Sequence, residues 1–450
     1  MNPVDAPSGA QGGSMGSGRD GGGVPVDTPP YQPPPPPPML MGHGFEAVAV
    51  GDALAAENGF SVFDGRLLLA GQGSDLGGVA DGFVFAHRAV QGNFDVFVRL
   101  RSLQMADPRS TAGLMVRAGA TDPAAPHVFL GVLADPALGG QIVSRSSAGG
   151  ATETMPPDSQ IRAGQLLRIR REGNRLTLYR SAVVTAWVKL ATLEIDLPAE
   201  VAVGVALCSR SEAMASAVEV DTMRLFGFDG PAAAQNWAVE VLSGFLPVAT
   251  LTGGRAELQA ADGVFTTTRE RGTFLAAPIT GSHTLTARVE AIGDEGTRRA
   301  QVALTMREGT PGQVSSFGRN VSLVLGQNGQ LDFRRRDRGT NFDPGAMAMG
   351  ITPPVWLRLS RADGGPGEKS RVTASYSSDG VAFTMLDSAE FAFADPALGG
   401  IVFTSGSDTR VARTSLSEVN LAPEGTLPPP APRDAGAPRA DAPAGGGGER

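Results

Sequence analysis

From residue 92 to residue 103 apolar and polar positions alternate with a period of two. Phe94, Val96, Val98 and Leu100 fall on one side, and Asp95, Phe97, Arg99 and Arg101 on the other. Successive side chains of an extended strand point to opposite faces, so this is the pattern of a strand buried on one side only. Residues 176–179, 201–205 and 321–325 predict further short strands. Glu172-Gly173-Asn174, Gln327-Asn328-Gly329 and Ser378-Asp379-Gly380 supply turn residues between such strands. No segment keeps a 3.6-residue period over three turns, so helix is expected to be scarce. Many short strands separated by turns predict an all-β, antiparallel sandwich.

The pattern occurs twice. Residues 92–103 line up with 281–292 at a constant offset of 189, Phe94 falling on His283 and Val98 on Ala287. Leu114-Met115-Val116-Arg117 corresponds to Leu304-Thr305-Met306-Arg307, and Leu167-Arg168-Ile169 to Leu357-Arg358-Leu359, one residue further on. Gly204 and Ser209 match Gly400 and Ser405, the larger offset being absorbed by the insertion 364–368. Residues 134–140 recur identically as 394–400, but in none of these registers, and we treat that identity as coincidence. Strand order and spacing kept while loops vary predict two tandem antiparallel sandwiches, 45–228 and 236–422, joined by a linker at 229–235.

Composition adds the ends. Residues 1–44, with the Pro33 to Pro38 run, and 423–450, with Gly445 to Gly448, can bury almost nothing and are expected to be disordered. A formal net charge of −8 argues against nucleic acid and anionic lipid as partners, since bulk attraction to them needs clustered Lys/Arg. The arginines among residues 334–338 read as a solvated sheet edge. Cys208 is the sole cysteine and lies in an apolar run, so it predicts a buried thiol and no internal disulfide. No apolar stretch is long enough for a membrane span, and no signal-peptide pattern is visible. A cytoplasmic chain and an exported one both fit.

Gly92-Asn93-Phe94-Asp95-Val96, Ala112-Gly113-Leu114-Met115-Val116-Arg117 and Pro126-His127-Val128-Phe129-Leu130 resemble the concanavalin A-like lectin/glucanase superfamily. The nearest look-alike is its laminin G-like and β-xylosidase C-terminal branch. Val355-Trp356-Leu357-Arg358-Leu359-Ser360-Arg361 and residues 376–383 carry the same cues in the second copy. The resemblance implies jelly rolls, an accessory or carbohydrate-binding role, and export to the cell surface or beyond. The second copy departs from it at His283 and Thr305, where the first has Phe94 and Met115.

Members that cleave glucans alternate three carboxylates along one strand, so that the nucleophile and the acid/base flank the bond from one face. Here Glu219-Val220-Asp221 gives two, with Met223 in the third place, and no enzyme is expected. Gly12-Gly13-Ser14-Met15-Gly16 fits a nucleophile-elbow pattern, but in a tail that cannot form the strained turn. His43, His87, His127 and His283 are not paired at metal-ligand spacing, so no cofactor is expected. Structural Ca2+ held by loop carbonyls would leave no sequence signal.

Aromatic residues make up 6% of the chain. Trp187 and Trp356 read as core, and Phe97 and Phe129 as candidates for exposed rings. Arg99, Arg117 and Arg168 each have a counterpart in the second copy, Arg288, Arg307 and Arg358. Asp95, Phe97, Arg99, Arg117 and Arg168 are therefore the candidate ligand-binding residues, on one polar sheet face suited to a polar or acidic glycan. The same residues also fit plain cross-strand ion pairs. The expected function is non-catalytic binding or adhesion, to polysaccharide or a cell-surface partner. The alternatives are a structural spacer without a small-molecule ligand and a glycoside hydrolase on the same scaffold.

Overall fold

Among the described residues, two seven-stranded sheets and one fourteen-stranded sheet make up the fold. The computed structural model describes residues 44–424 apart from 64–65, 185, 243–246, 261–262, 264–269, 295–296, 298, 315–317, 338–341, 366, 394 and 408–409. The Pro- and Gly-rich ends, the Gly12 to Gly16 motif, His43 and Arg338 thus lie outside the described residues. The single helix among the described residues, Gly230–Ala234, is five residues long. None of them forms a helix long and apolar enough to cross a membrane.

In spatial order the first seven-stranded sheet runs Glu46–Val50, Phe83–Gln91, Glu200–Cys208, Thr111–Arg117, His127–Leu133, Gly140–Arg145, Glu153–Thr154. The second runs Ala238–Val241, Thr273–Ile279, Ala397–Thr404, Gln301–Glu308, Asn320–Gly326, Leu331–Arg336, Asp343–Ala348. The two orders correspond strand for strand. Gly204 and Gly400 sit at matching positions in them, opposite His87 and Ala276. A Cβ would lie 1.9 Å from the Ala86 carbonyl oxygen at Gly204 and 2.1 Å from that of Leu275 at Gly400. Neighbouring strands approach too closely there for any side chain.

The long sheet serves both sandwiches. The eighteen-residue strand Ser211–Phe228 pairs along one edge with Asn93–Leu103. On its other edge the first part pairs with Arg66–Gly73, and Leu225 to Phe228 pair in parallel with Val248 to Leu251. From there the sheet continues through Arg255–Ala260, Ala412–Pro423, His283–Ile292, Val355–Ala362 and Ser370–Ser377 to Thr384–Phe391. Alternation at the join then divides the side chains. Leu225 and Val248 enter the first core, whereas Phe226, Phe228, Ala249 and Leu251 enter the second. The two halves of the sheet are therefore covered on opposite faces, each by one seven-stranded sheet. Each uncovered face meets the edge of the other sandwich, which leaves a groove on either side of the sheet.

Several sequence expectations change here. Leu331–Arg336 is an interior strand, paired on both sides, and Arg336 is fully buried rather than part of a solvated edge. Phe129 is fully buried, because loops cover the outer face of its sheet. Trp187 and Trp356 are half-buried rather than core. Cys208 is buried as expected, and burial pushes its thiol up to about 11.

Candidate functional site

The groove on the outer face of the first half of the long sheet has a volume of about 400 Å3, within the usual range of ligand sites. Its floor is a pleated surface. Asp95 and Phe97 come from Asn93–Leu103, Arg168 and Arg170 from Leu166–Glu172, and Arg224, Phe226 and Phe228 from Ser211–Phe228. Strand register places Phe97 between Arg168 and Arg224, and Asp95 between Arg170 and Phe226. Trp187, from the segment before Val188–Glu194, closes one side.

The other side comes from the second sandwich: Asn236, Trp237 and Glu240, with Pro311 and Gly312. Asp229 caps the short helix by accepting from the Ala232 N–H at 3.0 Å and also accepts from Gly253 N–H, which fixes this segment on the sheet. Asn236 adopts a left-handed conformation, φ 57°, at the turn into Trp237.

Charged and aromatic groups interlock in this groove. Arg168 donates from Nε to Asp95 Oδ1 at 2.7 Å and from Nη2 to Asp95 Oδ2, a planar two-point pair. Its guanidinium lies 5.2 Å from the Tyr179 ring centroid and 5.0 Å from that of Trp187. Burial alone would lower Arg168, but the Asp95 carboxylate outweighs it and holds the guanidinium above its usual range. Arg224 lies 5.1 Å from the Phe97 ring and donates to Glu240 Oε2 at 3.1 Å, while Glu240 Oε1 accepts from the Gly312 N–H at 2.8 Å. Burial pushes the Glu240 carboxyl up and the Arg224 guanidinium down, against their mutual attraction. Arg170 stacks on Phe228 at 4.6 Å and donates to Glu172 at 2.9 Å. Phe97 and Trp187 are tilted against each other at 5.5 Å. Every groove arginine thus has a carboxylate partner and an aromatic face.

Of the sequence-predicted residues, the structure brings Asp95, Phe97 and Arg168 together. Arg99 lies on the same face but further along, bound through Nε to Asp221 Oδ1 at 2.7 Å in a ladder with Glu219, Arg66 and Arg101. Arg117 is elsewhere. Its strand, Thr111–Arg117, belongs to the first seven-stranded sheet, and Arg117 is fully buried there, donating to Asp81 Oδ2 at 2.6 Å. Arg145 donates to the same carboxylate at 2.7 and 2.8 Å. The carbonyls of Gly78, Asp122, Pro123, Ala125 and Gly150 also point at these two guanidinium groups. Arg307, Glu270 and Arg336 form the matching buried cluster in the second sandwich. Arg170, Arg224, Trp187, Trp237 and Glu240 were missed. Strand parity marks Arg170 as a neighbour of Arg168, whereas nothing local marks Trp237 or Glu240.

No protein-family model matches the chain, and no curated protein matches it. Among solved structures it is similar to a functionally unknown protein from Saccharomyces cerevisiae, 15% identical, covering 38% of this chain and 94% of that one at a TM-score of 0.31. It is also similar to the carbohydrate-binding module CBM66 from Bacillus subtilis, 14% identical, covering 38% and 92% at 0.26. A third is the exoplasmic/lumenal domain of VIP36 in a form bound to Ca2+ and Man3GlcNAc, 9% identical, covering 44% and 89% at 0.29. At 9–15% identity, each likeness is one of fold alone.

Proposed function

We propose that this chain is a non-catalytic saccharide-binding protein and that the junction groove is its binding site. One observation carries the reading: the Trp187 and Phe97 rings and the planar Asp95–Arg168 pair line the same groove. A pyranose needs an aromatic surface for its apolar face and fixed, planar hydrogen-bonding groups for its hydroxyls, and this groove offers both. Because each groove arginine is matched by a carboxylate, the site suits an uncharged saccharide better than an acidic one. Glu219 and Asp221, ion-paired to Arg66 and Arg99, fit a sheet-supporting role rather than glycosidic cleavage. A polysaccharide or cell-surface glycan as partner, and export, belong to this reading.

The test is calorimetric titration of the full chain with neutral oligosaccharides of varied linkage. Trp187→Ala and Arg168→Ala are each expected to weaken binding at least about tenfold, the cost of a lost stacking face or a charge-assisted hydrogen bond. Binding that survives both substitutions, or none to any neutral sugar, would overturn the assignment.

A further inference from the structure

The groove on the opposite face of the long sheet has a different charge arrangement. Its volume is about 510 Å3, and it lies where the edge of the first seven-stranded sheet meets the outer face of the second half of the long sheet. Arg88 enters it from Phe83–Gln91, and Arg413 from Ala412–Pro423, opposite Gln259 in strand register. Arg88 has little to hold it. Nη1 reaches Gln259 Oε1 at only 3.4 Å, the guanidinium lies 5.8 Å from the Phe45 ring, and Nε is buried without a partner. The backbone at Gly44 packs beside it, a Cβ there being 3.6 Å from Nη1.

Among the described residues no carboxylate ion-pairs with Arg88 or Arg413, in contrast to the first groove. The acids that line this groove, Glu257 and Asp294, are solvent-exposed, so water screens their charge. A half-buried guanidinium without a counterion is costly, and a second arginine facing the same space adds repulsion. Burial, and then Arg413, lower Arg88 to about 10. Both costs are relieved by one event, the arrival of an oxyanion between the two guanidinium groups.

We propose that this second groove binds an oxyanion (a sulfate, phosphate or carboxylate group) through Arg88 and Arg413, independently of the junction groove. The experiment titrates the full chain calorimetrically with inorganic phosphate, a sulfated disaccharide and an oligogalacturonate, in the wild type and in Arg413→Gln, Arg88→Gln and Trp187→Ala. At least one probe binds the wild type, and the affinity falls as salt rises. Arg413→Gln and Arg88→Gln each weaken binding at least about tenfold, and Trp187→Ala leaves it unchanged. Arg413 is exposed, so its variant keeps the test open even where Arg88→Gln fails to fold. Phosphate binding alongside the sugars points to a free-oxyanion site; binding of the sugars alone points to an acidic saccharide. No binding by any probe, or binding unchanged in Arg413→Gln, overturns the proposal.

Discussion

Asp81→Asn isolates the contribution of charge to the buried cluster, because the substitution keeps the side-chain volume and opens no cavity. In the wild type the carboxylate is fully buried and receives three charge-assisted hydrogen bonds, from Arg117 Nη1 at 2.6 Å and from Arg145 Nη1 and Nη2 at 2.7 and 2.8 Å. Removing its charge leaves two buried guanidinium groups facing each other without a counterion, beside neutral groups alone: carbonyl dipoles, the amide oxygen that Asn keeps, the His127 ring at 3.3 Å from Arg117 and the Phe83 ring. Breaking a buried pair in this way costs about 3–5 kcal/mol, a large share of the roughly 5–15 kcal/mol that stabilises a domain. Urea denaturation followed by tryptophan fluorescence should show the midpoint falling accordingly. Limited proteolysis should place the first cuts in the first sandwich. Glu270→Gln, at the matching cluster of the second sandwich, should do the same there. A loss below about 1 kcal/mol would refute the reasoning, since it would make the cluster worth no more than a surface ion pair.

Two further outcomes are expected. Burial lowers His127 to about 4, from 6.5 in an unfolded chain, so below pH 6.5 the unfolded state takes up a proton that the folded state refuses. Its share of stability is complete above pH 6.5 and is lost as pH falls toward 4, by up to about 3 kcal/mol. His127→Asn, which places there the residue that pairs with Arg307 in the second sandwich, should remove that loss; an unchanged difference between urea midpoints at pH 5 and pH 7.5 would contradict this. Phe226→Ala should cost about 3–5 kcal/mol at the join, where Phe226 packs at 5.6 Å on Phe228, and should expose residues 229–240 to protease before either core opens. Cleavage no faster than in wild type would count against a shared sheet held by these rings.

Local alternation is enough to mark which residues of a strand share a side, and for Asn93–Leu103 it does so residue by residue: Phe94, Val96, Val98 and Leu100 are buried, and Asp95, Phe97 and Arg99 face out. It also carries the pairing of Arg117 with Arg307 and of Gly204 with Gly400, because a steric or electrostatic demand met the same way at two places leaves the same residues at the same spacing. What alternation does not carry is the sheet to which a strand belongs. Arg117 was expected beside Arg99, but its strand joins the other sheet, whose outer face is covered by loops. The junction groove shows the same limit more strongly. The partners that complete it, Trp237 and Glu240, are brought to Phe97 and Arg224 only because Ser211–Phe228 is long enough to pair with strands of both sandwiches. Periodicity thus determined the strands and their buried sides, since these depend on neighbours two residues apart. The fused sheet and its two grooves were decided by hydrogen bonding and packing between strands far apart in the chain, which only the tertiary structure contains.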